Sequence, residues 1–234
     1  MSRSRATEFS AGGFVAGERR ELAGVLVRAG PGAATLCEGW TAHDLAAHVV
    51  ARERSPLRSV GLAAPALVRW AERARVQYAA RPFDELVDQI AAGPGRLAPM
   101  RLPGVGPWMN VAEFFVHTED VRRARPGWEP RDLPADRQEV LWRLLRRSGR
   151  MLYRRSPVPV RLLLPDGRSA AVAAGGMRTS GSPGPAPHVL AGVVLSGEPS
   201  ELLLHGFGRG ACARVRAEGH PQALRLFTAT SLDR

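Results

Sequence analysis

Apolar and polar positions follow two different periods along this chain. Up to about residue 155 the apolar positions recur at three and four, the spacing of a helix buried along one face. Leu22, Val25 and Leu26 make such a face in a first helix expected over about Val15–Arg28, ending at "AGPGAA". "GWTAHDLAAHVV" opens a second helix. Thr41 stands as its N-cap, and Asp44, three residues on, makes a T-x-x-D variant of the capping box. Leu45, His48 and Val49 then share one face, and Ser55-Pro56 marks the end. "PALVRWAERARVQYAARP" has helical spacing at Leu67, Trp70 and Ala74 and stops before Pro82. "FDELVDQIAAG" reads as a short helix closed by Gly93, and "RLAPMRLPGVGPW" as a loop. "NVAEFFVHTEDVRRARPGWEP" is a helix stopped near Pro126-Gly127. "DRQEVLWRLLRRSGRMLYRR" follows, with Val140, Leu141, Leu144, Leu145, Met151 and Leu152 as an apolar stripe among arginines. Helices with short connections predict an antiparallel bundle.

At Ser156-Pro157 the pattern changes. "VPVRLLL", "RSAAVAA", "HVLAGVVLSG" and "ACARVRAEG" read as strands, with "PDG" as a turn and "GGMRTSGSPGPAP" as a loop. "EPSELLLHGFGRG" reads as a helix with Pro199 in its first turn and Gly208 or Gly210 at its end, and "HPQALRLFTAT" as a last helix. The expected fold class is therefore α plus α+β: a helix bundle over residues 1–155 and a small α+β domain over 156–234. No internal repeat is visible.

Composition narrows the function. The formal net charge is +11, and all 33 basic residues are arginine. Such a charge invites nucleic acid as a partner. The absence of lysine beside abundant Ala, Gly and Pro looks instead like the codon bias of a GC-rich genome, and the arginine-rich helix reads as a core helix with a solvated basic face. No run of eighteen apolar residues predicts a membrane span. The first twenty residues lack the apolar stretch of a secretory signal. Cys37 and Cys212, far apart, predict no disulfide framework and fit a reducing cytoplasm.

The candidate chemistry begins with His48, a histidine where an inward aliphatic residue is expected. A satisfied core histidine is one reading. A metal site is the other, because Glu113 and His117, four apart in "AEFFVHTEDV", lie on one helix face. Two histidines and a carboxylate leave a position open for water or substrate, as in a catalytic zinc site, and suit non-haem Fe(II) equally. Asn110 and Asp120 are candidates to orient an imidazole, against plainer roles as a helix cap and an ion pair with Arg123. His43 is expected to face solvent. His188, His205 and His220 lie in segments without a complementary donor pattern, and Cys37 has no cysteine at metal-site spacing.

"LCEGWTAHDLAAHVVARERSP" together with "NVAEFFVHTEDVRRARPGWEP" resembles the actinobacterial metal-binding proteins related to mycothiol-dependent maleylpyruvate isomerase. The resemblance implies a DinB-like N-terminal bundle and, through "ELLLHGFGRG", a sterol-carrier-like C-terminal domain. It carries the family's ligands onto His48, Glu113 and His117. Thr118 stands where close relatives often have a second histidine, off the ligand face. The implied cofactors are a divalent metal, zinc above others, and mycothiol. Arg209 matches a catalysis-assisting arginine of the isomerase branch, and Arg52, one turn after His48, is a candidate to hold a carboxylate substrate or thiol cofactor. Three functions stay open: a cytoplasmic thiol-dependent isomerase or thiol transferase, a non-catalytic metal module or sensor, and an arginine-rich nucleic-acid binder.

Overall fold

The computed structural model describes residues 11–54, 65–93, 106–175 and 192–230. The chain divides into two compact units, Met1–Arg131 and Asp132–Arg234.

The first unit is helical: α1 Ala11–Ala29, α2 Ala42–Arg54, α3 Pro65–Ala79, α4 Phe83–Ala92 and α5 Gly106–Arg122. The predicted capping box at the start of α2 forms in both directions. The Asp44 N–H donates to Thr41 Oγ1 at 3.3 Å, and the Thr41 N–H donates to an Asp44 carboxylate oxygen at 3.1 Å. Two orphan donors at the helix start are satisfied by two side chains, which fixes where α2 begins. Leu22, Val25 and Leu26 of α1 meet Leu45, Val49 and Val50 of α2, Leu86 and Ile90 of α4, and Phe114 and Val121 of α5 in one apolar core. Burying side chains of this size stabilises by roughly 1.5–3 kcal/mol each.

Several buried charges of this unit are paired. Arg19 and Glu53, both buried, bind each other, and Arg19 also donates to the Ile90 carbonyl at 2.9 Å. Glu119 is bound by Arg123 at 2.5 Å and by Arg122 at 2.9 Å. Arg123 is thus a partner of Glu119.

The second unit holds α6 Ala135–Leu152, β1 Pro159–Leu163, β2 Ser169–Ala174, β3 Val193–Ser196, α7 Pro199–Gly206, β4 Arg216–Gly219 and α8 Pro221–Thr228. Sheet order is β2-β1-β3-β4, with β1 and β3 parallel and both outer pairs antiparallel. The expected boundary after residue 155 differs from the observed division, because α6 packs on β2 and α7. Gly149 marks the contact: a Cβ there would lie 2.5 Å from Val172 Cγ1, so only glycine lets helix and strand approach so closely. Within α6, Val140, Leu141, Leu144, Leu145 and Leu152 are buried as expected, but Met151 is 53% exposed. Its aromatic residues, Trp142 and Tyr153 just beyond its end, are buried too and offer no stacking surface to a base. Pro199 begins α7 as predicted, and Gly208, with φ of 82°, follows its end. The "ACARVRAEG" stretch is a strand only over Arg216–Gly219, preceded by a 3-10 turn at Gly210–Cys212. The beginning of the strand expected from His188, and His188 itself, lie outside the described residues, as do residues 55–64 and 94–105.

His205 on α7 is stacked between Tyr153 and Phe227, ring centroids 6.0 and 5.8 Å away. Burial between these rings lowers its pKa to about 4. An unfolded histidine titrates near 6.5, so the unfolded chain takes up a proton between about pH 6.5 and 4 that the folded unit refuses. Stability from this source is complete above about pH 6.5 and falls by up to about 3 kcal/mol as pH drops to about 4. Urea unfolding at pH 7 and pH 4 should show this loss in the native protein and a markedly smaller one in His205→Phe. Equal losses in the two would exclude His205 as the source.

Candidate metal centre

The site is built on α2 and α5. Leu45 and Val49 are buried on either side of His48, whose side chain keeps 16% of its surface. On α5, Glu113 and His117 stand one turn apart, as their spacing requires. The three side chains converge. His48 Nε2 lies 3.0 Å from Glu113 Oε1, and His117 Nε2 lies 3.4 Å from the same oxygen. Nitrogen and oxygen ligands of a tetrahedral ion, at about 2.0–2.1 Å from it, stand about 3.3 Å apart. The donor types and their spacings thus fit a divalent cation. His48 and His117 face each other edge to face at 5.2 Å, and Trp40 packs on His48 at 4.9 Å.

Neighbouring groups fix how these donors point. Arg52 is buried, and its Nε lies 3.2 Å from Glu113 Oε2. Its terminal nitrogen donates to Asn110 Oδ1 at 2.8 Å. The guanidinium expected to hold a substrate is therefore engaged by the protein's own carboxylate, leaving Glu113 Oε1 toward the histidines. Asn110 supports Arg52 and does not cap α5, which begins four residues earlier at Gly106. Asp120, fully buried, has an oxygen 2.8 Å from His117 Nδ1, so it orients this imidazole and turns Nε2 toward Glu113. Thr118 is turned away, donating to the Phe114 carbonyl at 2.7 Å.

The electrostatics follow from this crowding. Burial works against charge on Glu113, but Arg52 first, then His117 and His48, hold its carboxyl well below the usual range. Burial likewise works against charge on His117. The Glu113 charge and hydrogen bonding with Asp120 and Cys37 overcome it and hold the imidazole well above its usual value. A positive charge is thus favoured at the point between Glu113 and Asp120.

Spacing along the chain did not reveal Cys37. The loop ahead of α2 docks on the end of α5, where the Leu36 N–H donates to the Asp120 carbonyl at 3.0 Å. Thr35 Oγ1 holds the same loop through the Trp40 carbonyl at 2.8 Å. Cys37 Sγ comes to rest 3.2 Å from Asp120 Oδ2 and 3.9 Å from His117 Nδ1. The other histidines are elsewhere. His43 is half-buried rather than solvent-facing: its Nε2 lies 3.0 Å from the Arg81 carbonyl and its ring packs edge-on against Phe83. His220 caps α8, its Nδ1 accepting from the Gln222 N–H at 3.3 Å. Arg209, in the second unit, donates to the Phe207 carbonyl at 2.7 Å, at the end of α7.

No family model matches the sequence, and no curated protein matches it. Two solved structures share its fold. One, a histidine-to-alanine mutant of mycothiol-dependent maleylpyruvate isomerase, is 17% identical with a TM-score of 0.55. The other, mycothiol-dependent maleylpyruvate isomerase itself, is 16% identical with a TM-score of 0.51. Each comparison covers 88% of this chain and 91% of the other.

The Arg52–Glu113 pair gives a stability prediction. Removing one member of a buried pair leaves the other uncompensated, at a cost of about 3 kcal/mol. Arg52→Met should lower the unfolding free energy by about that much. Glu113→Gln introduced into Arg52→Met should recover part of it. Strictly additive losses in the double variant would mean the two side chains do not depend on each other.

Proposed function

We propose that this chain, built on the fold of mycothiol-dependent maleylpyruvate isomerase, is a divalent-metal protein that uses a low-molecular-weight thiol to transform a small molecule. The convergence of His48, Glu113 and His117 carries the reading. Zinc is the ion proposed and mycothiol the thiol, for an isomerase or thiol transferase of the maleylpyruvate isomerase-like kind. The bundle would be DinB-like and the second unit sterol-carrier-like.

The residues divide the work. His48 Nε2, Glu113 Oε1 and His117 Nε2 would hold the ion. A bound divalent ion lowers the pKa of a thiol or water at its open position, giving a nucleophile near neutral pH. Arg52 keeps Glu113 ionised and occupies its second oxygen, so the carboxylate presents one oxygen and not two. Asp120 takes the Nδ1 proton of His117 as a hydrogen bond, so that Nε2 is the free donor atom. Trp40 covers one side of the His48 ring and limits its rotation. Arg209 is proposed for a substrate carboxylate by resemblance alone.

A second reading, a metal-holding module without turnover, is favoured by one observation: Arg52, the group expected to hold a carboxylate substrate, is engaged instead by Glu113 and Asn110.

Metal content separates ligands from bystanders. His48→Ala and His117→Ala should each lose the ion held at this position, because two donors rarely hold a divalent ion. His43→Ala should keep it. Equal metal in all three variants would mean the ligands are elsewhere. The enzyme and the passive module separate on thiol addition to cobalt-loaded Cys37→Ser, where no protein thiol adjoins the site. A saturable thiolate-to-cobalt absorbance band supports the thiol-using enzyme. Retained cobalt with no band at any thiol concentration supports the module.

A further inference from the structure

His117 has two ring nitrogens, and both are surrounded by metal-type donors. Nε2 faces Glu113 and His48. Nδ1 faces Asp120 Oδ2 at 2.8 Å and Cys37 Sγ at 3.9 Å, and these two are 3.2 Å from each other. The lone pairs of the two nitrogens diverge, so an ion on one is not an ion on the other. Cys37, His117 and Asp120 form a donor triangle of their own, sharing only the imidazole with the first.

We infer that Cys37, His117 and Asp120 form a second cation position, selective for thiophilic divalent ions and joined to the first through the His117 ring. Sulfur, nitrogen and oxygen ligands of a tetrahedral ion at about 2.3, 2.0 and 2.0 Å stand about 3.3–3.6 Å apart. The three observed separations bracket those values, so the triangle accepts an ion by sub-ångström adjustments. The donors come from two places that the backbone ties together. Cys37 sits in the loop whose Leu36 N–H binds the Asp120 carbonyl, and His117 and Asp120 share one turn of α5. Asp120 is fully buried, while Cys37 and His117 are only partly buried, so the sulfur side of the triangle keeps some contact with solvent. A thiolate in the set favours softer ions than the two-histidine, one-carboxylate set does.

The proton balance is simple. The ion takes the place of the Cys37 S–H proton and the proton shared between His117 Nδ1 and Asp120. With both positions filled, His117 bridges as an imidazolate. The inference shares His117 with the proposed function but does not depend on catalysis at the first position.

Cobalt(II) titration without added thiol tests it, following equivalents bound and near-ultraviolet absorbance. The native protein should take up two equivalents, with one of them bringing a thiolate-to-cobalt band. Cys37→Ser should take up one equivalent with no such band, keeping the visible cobalt spectrum of the first position. His48→Ala should take up one equivalent and keep the band. Cys212→Ser, which changes the other cysteine, should match the native protein. A native protein that binds one equivalent or none, or a band that persists in Cys37→Ser, overturns the second position. If the native protein binds one equivalent that His48→Ala loses, the first site stands and only the second fails. If His48→Ala binds as many equivalents as the native protein, the first site is the one misassigned.

Discussion

A carboxylate does not stay charged inside a protein unless other charges hold it there, and Glu113 is placed under that constraint. Four groups answer it from two helices: Arg52 and His48 on α2, and His117 and, through Arg52, Asn110 on α5. The positions of α2 and α5 relative to each other are therefore tied to one side chain. Hydrophobic contact through Leu45, Val49, Phe114 and Val121 brings the helices into one core, but that attraction is non-directional. The hydrogen-bonded carboxylate supplies the direction. It also holds three donors together at spacings a divalent ion accepts.

The same rule shapes the rest of the first unit and gives its arginines a use unrelated to nucleic acid. Glu53 is held by Arg19, Glu119 by Arg122 and Arg123, and Glu18 by Arg131 at 2.8 Å. Forked guanidinium groups satisfy both oxygens of a buried carboxylate, which a lysine ammonium does less well. Aromatic faces take some of the remaining positive charge: Arg19 lies over Phe114 at 4.4 Å and Arg123 over Trp128 at 4.6 Å. Much of the surplus of basic residues in this unit is thus structural wiring around a few acids.

His117 is where structure and proposed chemistry meet. Its ring is clamped at one nitrogen by Asp120 and approached at the other by Glu113, with Cys37 beside the clamp. A ring held in this way cannot rotate to choose its partner, so its tautomer is dictated by surroundings. That is the condition for a reliable ligand. It is also what makes Cys37 consequential, since any change at the sulfur is felt first at Nδ1 and then across the ring.

What the sequence determined by itself is local. The capping box at Thr41 and Asp44, the inward His48, the pairing of Glu113 with His117, the turn at Asp166-Gly167 and Pro199 at the start of α7 all depend on backbone geometry within about four residues, which a single chain displays directly. The role of Asp120 was legible for the same reason, being one turn from His117. Tertiary structure decided the rest. Cys37 is 83 residues from Asp120, and nothing near it in the chain announces that its loop will dock on α5. Arg52 looked free to meet a substrate until α2 was packed beside Glu113. The arginine-rich helix continued the helical period of the bundle, yet it buries its face on β2 and α7, because the smooth apolar stripe of a helix fits either kind of partner and Gly149 opens the way to the strand. Periodicity shows that a face will be buried; only the crossing of distant elements decides against what.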